Sequence, residues 1–143
     1  MRIREAKSAD VPRLVELIVD LGHPITEADV RSNLEILAAD DMLPLVATDG
    51  ERVIGMCGLS TMVTVHRPAP VGRISVMIVD EGYRGQGIGA LLVAEAERRP
   101  SKRGCKIVEV TSNQRRERAH GFYEALGYER TSFRFMKKLS HSL

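Results

Sequence analysis

The sequence has no stretch of about 18 consecutive apolar residues, so none of it is expected to span a bilayer as a helix. It has only two cysteines, Cys57 and Cys105, set far apart and outside any Cys-x-x-Cys pair or zinc-spaced Cys/His cluster. Buried free thiols in a reducing cytoplasm are the expectation from that pattern. His23, His66, His120 and His141 show no ligand spacing either, so no metal site is expected. No apolar run follows Met1-Arg2-Ile3-Arg4-Glu5, and a secretory signal is not expected. Repeats and low-complexity tracts are missing. So is an excess of one charge: Lys+Arg 21 against Asp+Glu 19 leaves +2, which gives no ground for nucleic-acid binding. Any anion site must therefore be local.

What is present is a chain of 143 residues, 43% apolar and 28% charged, the balance of a soluble globular domain. The length predicts one domain, residues 1–143, able to bury roughly two-thirds of the surface its unfolded form exposes. Ile3 to Ala6 reads as a short strand, and Ser8-Ala9-Asp10 offers capping oxygens ahead of Leu14, Leu17, Ile18 and Leu21 at helical spacing. Gly22 and Pro24 close that helix. Thr26 and Asp29 resemble an acidic capping box that opens a second helix through Val30, Leu34 and Leu37.

Leu43 to Thr48 and Arg52 to Val65 read as an antiparallel pair joined at Asp49-Gly50, a dipeptide that tolerates the positive φ of a hairpin turn. After the loop His66 to Pro70, Arg73 to Val79 is a β-branched run suited to a buried strand. Gly85 to Arg99 carries Ile88, Leu91, Leu92 and Ala96 on one helical face, with Pro100 marking its end, and Lys106 to Thr111 is the next strand. A strand, helix and strand in this order form a right-handed crossover, which makes the two strands parallel. Arg116 to Leu126 places Ala119, Phe122, Tyr123 and Leu126 on one face, and Gly127 sits where helices commonly end. Tyr128 to Leu139 alternates as one or two strands would. The fold class is mixed α/β with an antiparallel front half.

The most informative segment runs from Val79 to Ala90, a strand end, a turn and a helix start. Gly85, Gly87 and Gly89 stand where the first helical amides lack intrahelical partners, and without side chains they let a ligand reach those donors. Amides and the helix dipole suit a phosphate or pyrophosphate, which Arg84 would help to hold. A purely structural turn is the alternative. No Lys-Ser or Lys-Thr follows, so a Walker loop is excluded. Gly85 to Ala90 does fit G-x-G-x-x-A, but a dinucleotide fold would open with that motif, whereas here four strands precede it.

Arg84-Gly85-Gln86-Gly87-Ile88-Gly89 resembles the signature of the GNAT superfamily of acyl-CoA-dependent N-acetyltransferases. Thr111-Ser112-Asn113 and the run Arg118 to Tyr128 resemble the family's late strand, helix and following strand. The resemblance implies a mixed, mostly antiparallel central sheet with helices on both faces and a splayed parallel strand pair. It also implies acetyl-CoA as cosubstrate. The main chain of Met77, Ile78 and Val79 would then meet the pantetheine arm, joined by Asn113, while Arg84, Gly85, Gln86, Gly87, Ile88, Gly89 and Ala90 would bind the pyrophosphate.

By the same resemblance Tyr123 would protonate or hydrogen-bond the departing thiolate, although an aromatic on an apolar helix face also packs a core. The amide of Val79 would help to stabilise the oxyanion. Ser75 occupies one place where the family often has a glutamate base, which leaves Glu109 on the next strand as the candidate, with a structural ion pair as its other reading. The implied reaction is direct attack by a primary amine of a small molecule or protein. The first two helices and the loop from His66 to Val71 would shape the acceptor pocket, and their composition does not select the amine. A noncatalytic acyl-CoA-binding module and a dinucleotide-dependent oxidoreductase are the alternatives. No nucleic-acid or membrane partner is expected, and a homodimer through an outer strand is compatible with such a fold.

Overall fold

Local signals in the sequence become the ends of elements in the computed structural model, which describes residues 1–111 and 117–140. Strand β1 is Arg2–Glu5. A single 3-10 turn, Ser8–Asp10, leads into helix α1, Val11–Asp20. Asp10 is buried there, and burial alone would push its carboxyl up. Two hydrogen bonds from Arg4, at 2.8 and 3.0 Å, and one from the Lys7 amide at 2.8 Å outweigh that and hold it below the usual carboxylate range. Helix α2, Glu27–Ala39, opens on the expected capping box: the Asp29 amide donates to Thr26 Oγ1 and the Thr26 amide donates to Asp29 Oδ2, each at 3.1 Å.

Strands β2 (Leu45–Asp49), β3 (Arg52–Met62) and β4 (Val71–Val79) follow, then helix α3 (Ile88–Lys102), strand β5 (Ile107–Val110) and helix α4 (Glu117–Ala125). The sheet order is β1-β2-β3-β4-β5, with every neighbouring pair antiparallel except the parallel β4 and β5. This is the mixed, mostly antiparallel sheet with one parallel pair that was expected.

Each face of the sheet is closed by helix. On one side Val11, Leu14 and Leu17 of α1 and Val30 of α2 pack with Val46, Val53, Met56 and Ile78. Full burial of each such side chain stabilises the fold by about 1.5–3 kcal/mol. On the other side lies α3, whose Leu92, Val93 and Ala96 are buried. Its close approach needs glycine at two sheet positions. A Cβ on Gly55 would lie 3.2 Å from a Leu92 methyl, and one on Gly72 would lie 2.5 Å from Pro100 Cβ.

The chain forms two compact units, Met1–Thr111 and Ser112–Leu143. In the second, α4 ends as the sequence predicts. The Tyr128 amide donates to the Tyr123 carbonyl and the Gly127 amide to the Glu124 carbonyl, both at 3.0 Å, with Gly127 at φ +93°. That is the Schellman arrangement, and it carries the usual apolar contact, here the Tyr123 ring 5.8 Å from the Tyr128 ring.

Two expectations are corrected. Pro100 does not end α3: the helix runs on to Lys102, and the hydrogen bond that the proline cannot donate is offset by its buried ring, which fills the space over Gly72. Residues 128–140 contain no strand, and Phe133, Phe135, Met136 and Leu139 are exposed. Alternation is only half of a strand's requirement; backbone groups also need a ladder partner, and none is described for this segment.

Candidate active site

The parallel pairing is short. Val71, Gly72, Arg73 and Ile74 of β4 match Ile107, Val108, Glu109 and Val110 of β5, and beyond Ile74 no ladder partner is described on that edge. The change coincides with an irregularity on the other edge. Gly58 pairs with Val76 and Leu59 with Ile74, so Ser75 is an extra residue, a bulge. A bulge bends its strand and interrupts pairing, which supplies a physical reason for β4 to leave β5 at this point.

The open edge has a definite polarity. The Asp80 amide donates to the Ile54 carbonyl of β3 at 2.8 Å. Backbone groups alternate along a strand, so those of Ile78 also face β3, while the N–H and C=O of Met77 and Val79 face the open side. Of the three residues expected to offer main chain to a ligand, Met77 and Val79 are turned to do so. Ile78 is turned to its neighbour, with its side chain in the core.

Directly after β4 comes the glycine segment. Gly85 and Gly87 adopt φ of +81° and +80°, and a Cβ added to either would meet nothing within 4 Å. Their need is conformational, and the space over them is open. Helix α3 starts at Ile88, later than the expected Gly85, because these left-handed residues precede it. The first amide within the helix to find a backbone acceptor is that of Leu91, on Gly87, at 3.2 Å. The amides of Ile88, Gly89 and Ala90 are left for another acceptor. The Ile88 side chain is buried, which leaves its main chain as the only part a ligand could meet, and Gln86 lies beside it on a shallow pocket shared with Asp49 and Tyr83. Among the described residues the Arg84 guanidinium makes no hydrogen bond or ion pair.

The turn between β4 and the glycines is pinned from both sides. Asp80 accepts from the Gly82 amide at 3.0 Å, from Arg13 of α1, and from Arg52 of β3 at 3.4 Å. The Gly82 amide and these guanidiniums hold the Asp80 carboxyl below the usual range. Arg13 also donates to the Val53 carbonyl at 2.9 Å. Tyr83 donates to Asp49 Oδ2 at 2.9 Å, and that bond pushes the phenol up. Sequence reading missed Arg13, Asp49, Arg52, Asp80 and Tyr83. Asp80-Glu81-Gly82 after a strand is a local sign of an Asx turn, but its partners are distant in sequence.

Glu109 lies opposite Arg73 and accepts from its Nε at 3.1 Å and from its Nη2. This is the ion pair anticipated as the alternative to a base. Ser75 is exposed. In the second unit Tyr123 stacks edge-to-face on Phe122, with ring centres 5.1 Å apart, as well as on Tyr128. Asn113 lies outside the described residues. Cys57 and Cys105 are free thiols; Cys57 is buried, which pushes it up to about 12 and makes it a poor nucleophile. Among the described residues no His, Cys, Asp and Glu group could hold a metal, and no helix is long and apolar enough to cross a membrane.

The model of the acetyltransferase (GNAT) family matches residues 11–128. The chain is 32% identical over 142 residues to aminoalkylphosphonate N-acetyltransferase of Salmonella typhimurium, covering 96% of this chain and 90% of that protein. Glucosamine 6-phosphate N-acetyltransferase of Trypanosoma brucei brucei is 28% identical over 137 residues, covering 90% and 88%. A solved transcriptional regulator from Bacillus halodurans C-125 matches with a TM-score of 0.86 and 27% identity over 96% of this chain and 99% of its own. Glucosamine-6-phosphate N-acetyltransferase from Arabidopsis thaliana shares the fold, with a TM-score of 0.83 at 20% identity over 97% and 98% of the two chains.

Proposed function

The chain belongs to the GNAT acetyltransferase family, and from that membership we propose that it moves an acetyl group from acetyl-CoA to the primary amine of a small molecule by direct attack. The observation that carries this reading is the open edge of β4 beyond Ile74, which runs straight into the uncapped start of α3. An extended ligand with amides matches the first feature and a pyrophosphate matches the second. The residues present fit such a cosubstrate: Gly85 and Gly87 leave clear space, and Arg84 is unpaired among the described residues.

Acetyl-CoA supplies the acetyl group as an activated thioester. Met77 and Val79 bind its pantetheine arm through main chain, with Asn113 as a further contact. Arg84 and the segment Gly85 to Ala90 hold the pyrophosphate. The arm runs back along β4 from the glycine segment, so the thioester lies beyond Met77 toward Ser75, and the Val79 amide, beside the pyrophosphate end, serves the arm and not the oxyanion. Tyr123 gives its phenolic proton to the leaving sulfur. An alkylammonium with a pKa of about 10 must first lose a proton, and Glu109 accepts it, directly or through water, with the oxygen that Arg73 does not hold.

Family membership spans both compact units, which supports reading residues 1–143 as one catalytic domain. The relatives named above act on small amines that carry a phosphorus oxyanion, which supports a small-molecule acceptor over a protein. Two free thiols support a cytoplasmic location.

The test is thermal shift with acetyl-CoA and with NAD, followed by release of free CoA over a panel of amines. Stabilisation by acetyl-CoA alone, and CoA release with at least one amine, are expected. Stabilisation by NAD instead, or no release from any acceptor, would contradict the proposal.

A further inference from the structure

The ion pair at the closed end of the strand gap carries more than a structural role. Arg73 and Glu109 face each other in the last register position but one before β4 and β5 part. Their neighbours Gly72 and Val108 point toward Pro100 of α3, so Arg73 and Glu109 project from the opposite face of the sheet. The pairing is lopsided. Nε and Nη2 of Arg73 both donate to one oxygen, Oε1 of Glu109, whereas a guanidinium and a carboxylate can meet through two oxygens. Among the described residues Nη1 of Arg73 and Oε2 of Glu109 have no partner. The side chains are 31% and 37% exposed. Next to them on the strand stands Ser75, small and exposed.

We propose that this pair reads the acceptor: Oε2 of Glu109 receives the ammonium group, and Nη1 of Arg73 receives an oxyanion on the same molecule. The acceptor is then a small zwitterion, a primary amine that also bears a phosphonate, phosphate or carboxylate. The proposal rests on the acetyl-transfer reading above, which brings the thioester to this end of the gap. An ion pair with one spare donor edge and one spare acceptor oxygen complements a ligand that carries charge of both signs. A simple alkylamine satisfies only the Glu109 side and leaves the guanidinium edge without its anion. Before attack, the ammonium proton passes to Oε2, leaving nitrogen its lone pair.

The experiment compares three acceptors of equal chain length, an aminoalkylphosphonate, the corresponding amino carboxylate and the plain alkylamine, at saturating acetyl-CoA. The wild-type protein is expected to favour at least one anionic acceptor over the alkylamine by about tenfold or more in kcat/KM, mostly through KM. The two anionic arms decide which oxyanion is read. Arg73→Gln should cut that preference to about threefold or less, and Arg73→Lys, which keeps the charge without the planar fork, should restore part of it. Turnover of all three by the wild type with no preference overturns the proposal while leaving acetyl transfer intact. Release of no CoA from any of them overturns both. If Arg73→Gln fails to fold, the wild-type comparison alone decides. A folded Arg73→Gln protein that keeps the full preference also overturns it.

Discussion

Strand β4 is two different objects joined at Ser75. From Val71 to Ile74 it is hydrogen-bonded on both edges, and Gly72 is so tightly covered that a methyl group would collide with Pro100. Among the described residues Val76 to Val79 is bonded to β3 alone, and the backbone of Met77 and Val79 faces away from β3. Both halves carry β-branched residues, Val71 and Ile74 in one and Val76, Ile78 and Val79 in the other, so strand propensity does not separate them. The difference comes from pairing: the closed half holds the sheet together on both edges, and the open half is the part proposed to bind.

Substitutions can break or sharpen that division. The largest effect is expected just past the open half. Replacing Gly87 and Gly89 together by aspartate puts side chains and two negative charges where an anion is to sit, and at about 3 kcal/mol of repulsion per charge should weaken acetyl-CoA binding by about a thousandfold or more. Calorimetry on protein whose fold is confirmed by circular dichroism checks this. Next comes Tyr123→Phe, which removes the proposed proton donor. Turnover should fall about a hundredfold while acetyl-CoA affinity stays within about twofold, and steady-state rates beside direct binding separate the two.

The closed half should respond the other way. Gly72→Ala pushes a methyl to 2.5 Å from a rigid proline ring, and is expected to cost about 1–3 kcal/mol in urea unfolding with no change in acetyl-CoA affinity of the folded protein. The smallest effect concerns Asp80, at the end of the open half. Its native pKa lies below its unfolded one, so its contribution to stability is complete above about 3.9 and fades as pH falls through the native value. Asp80→Asn should therefore be less stable than wild type at pH 7, with the gap closing in strong acid. A gap that widened in acid would show that the Gly82 and arginine contacts do not favour the carboxylate.

What could be seen in the sequence was what short-range chemistry decides. The Thr26 and Asp29 box, the turn at Asp49-Gly50, the glycine segment and the stop at Gly127 all depend on residues within a few positions of one another. The bulge at Ser75 was not visible, because it exists only relative to Gly58 and Leu59 on another strand. The hold of Arg13 on Asp80 spans 67 positions and left no local mark. Glu109 was picked out, with an ion pair as one reading, but only the β4–β5 register could supply Arg73 as its partner. Pro100 misled because the packing that offsets its lost hydrogen bond is on Gly72 of another element, and the segment after Tyr128 misled because alternation does not provide a neighbour.

Amide hydrogen exchange at single residues of β4 addresses the division of the strand most directly. In the free protein the N–H groups of Met77 and Val79 should exchange quickly while Ile78, bonded to β3, is protected. Saturating acetyl-CoA should slow Met77 and Val79 by at least about tenfold and leave Ile78 little changed. Amides of Met77 and Val79 that are already protected without ligand, or that exchange at the same rate with it, would contradict the account.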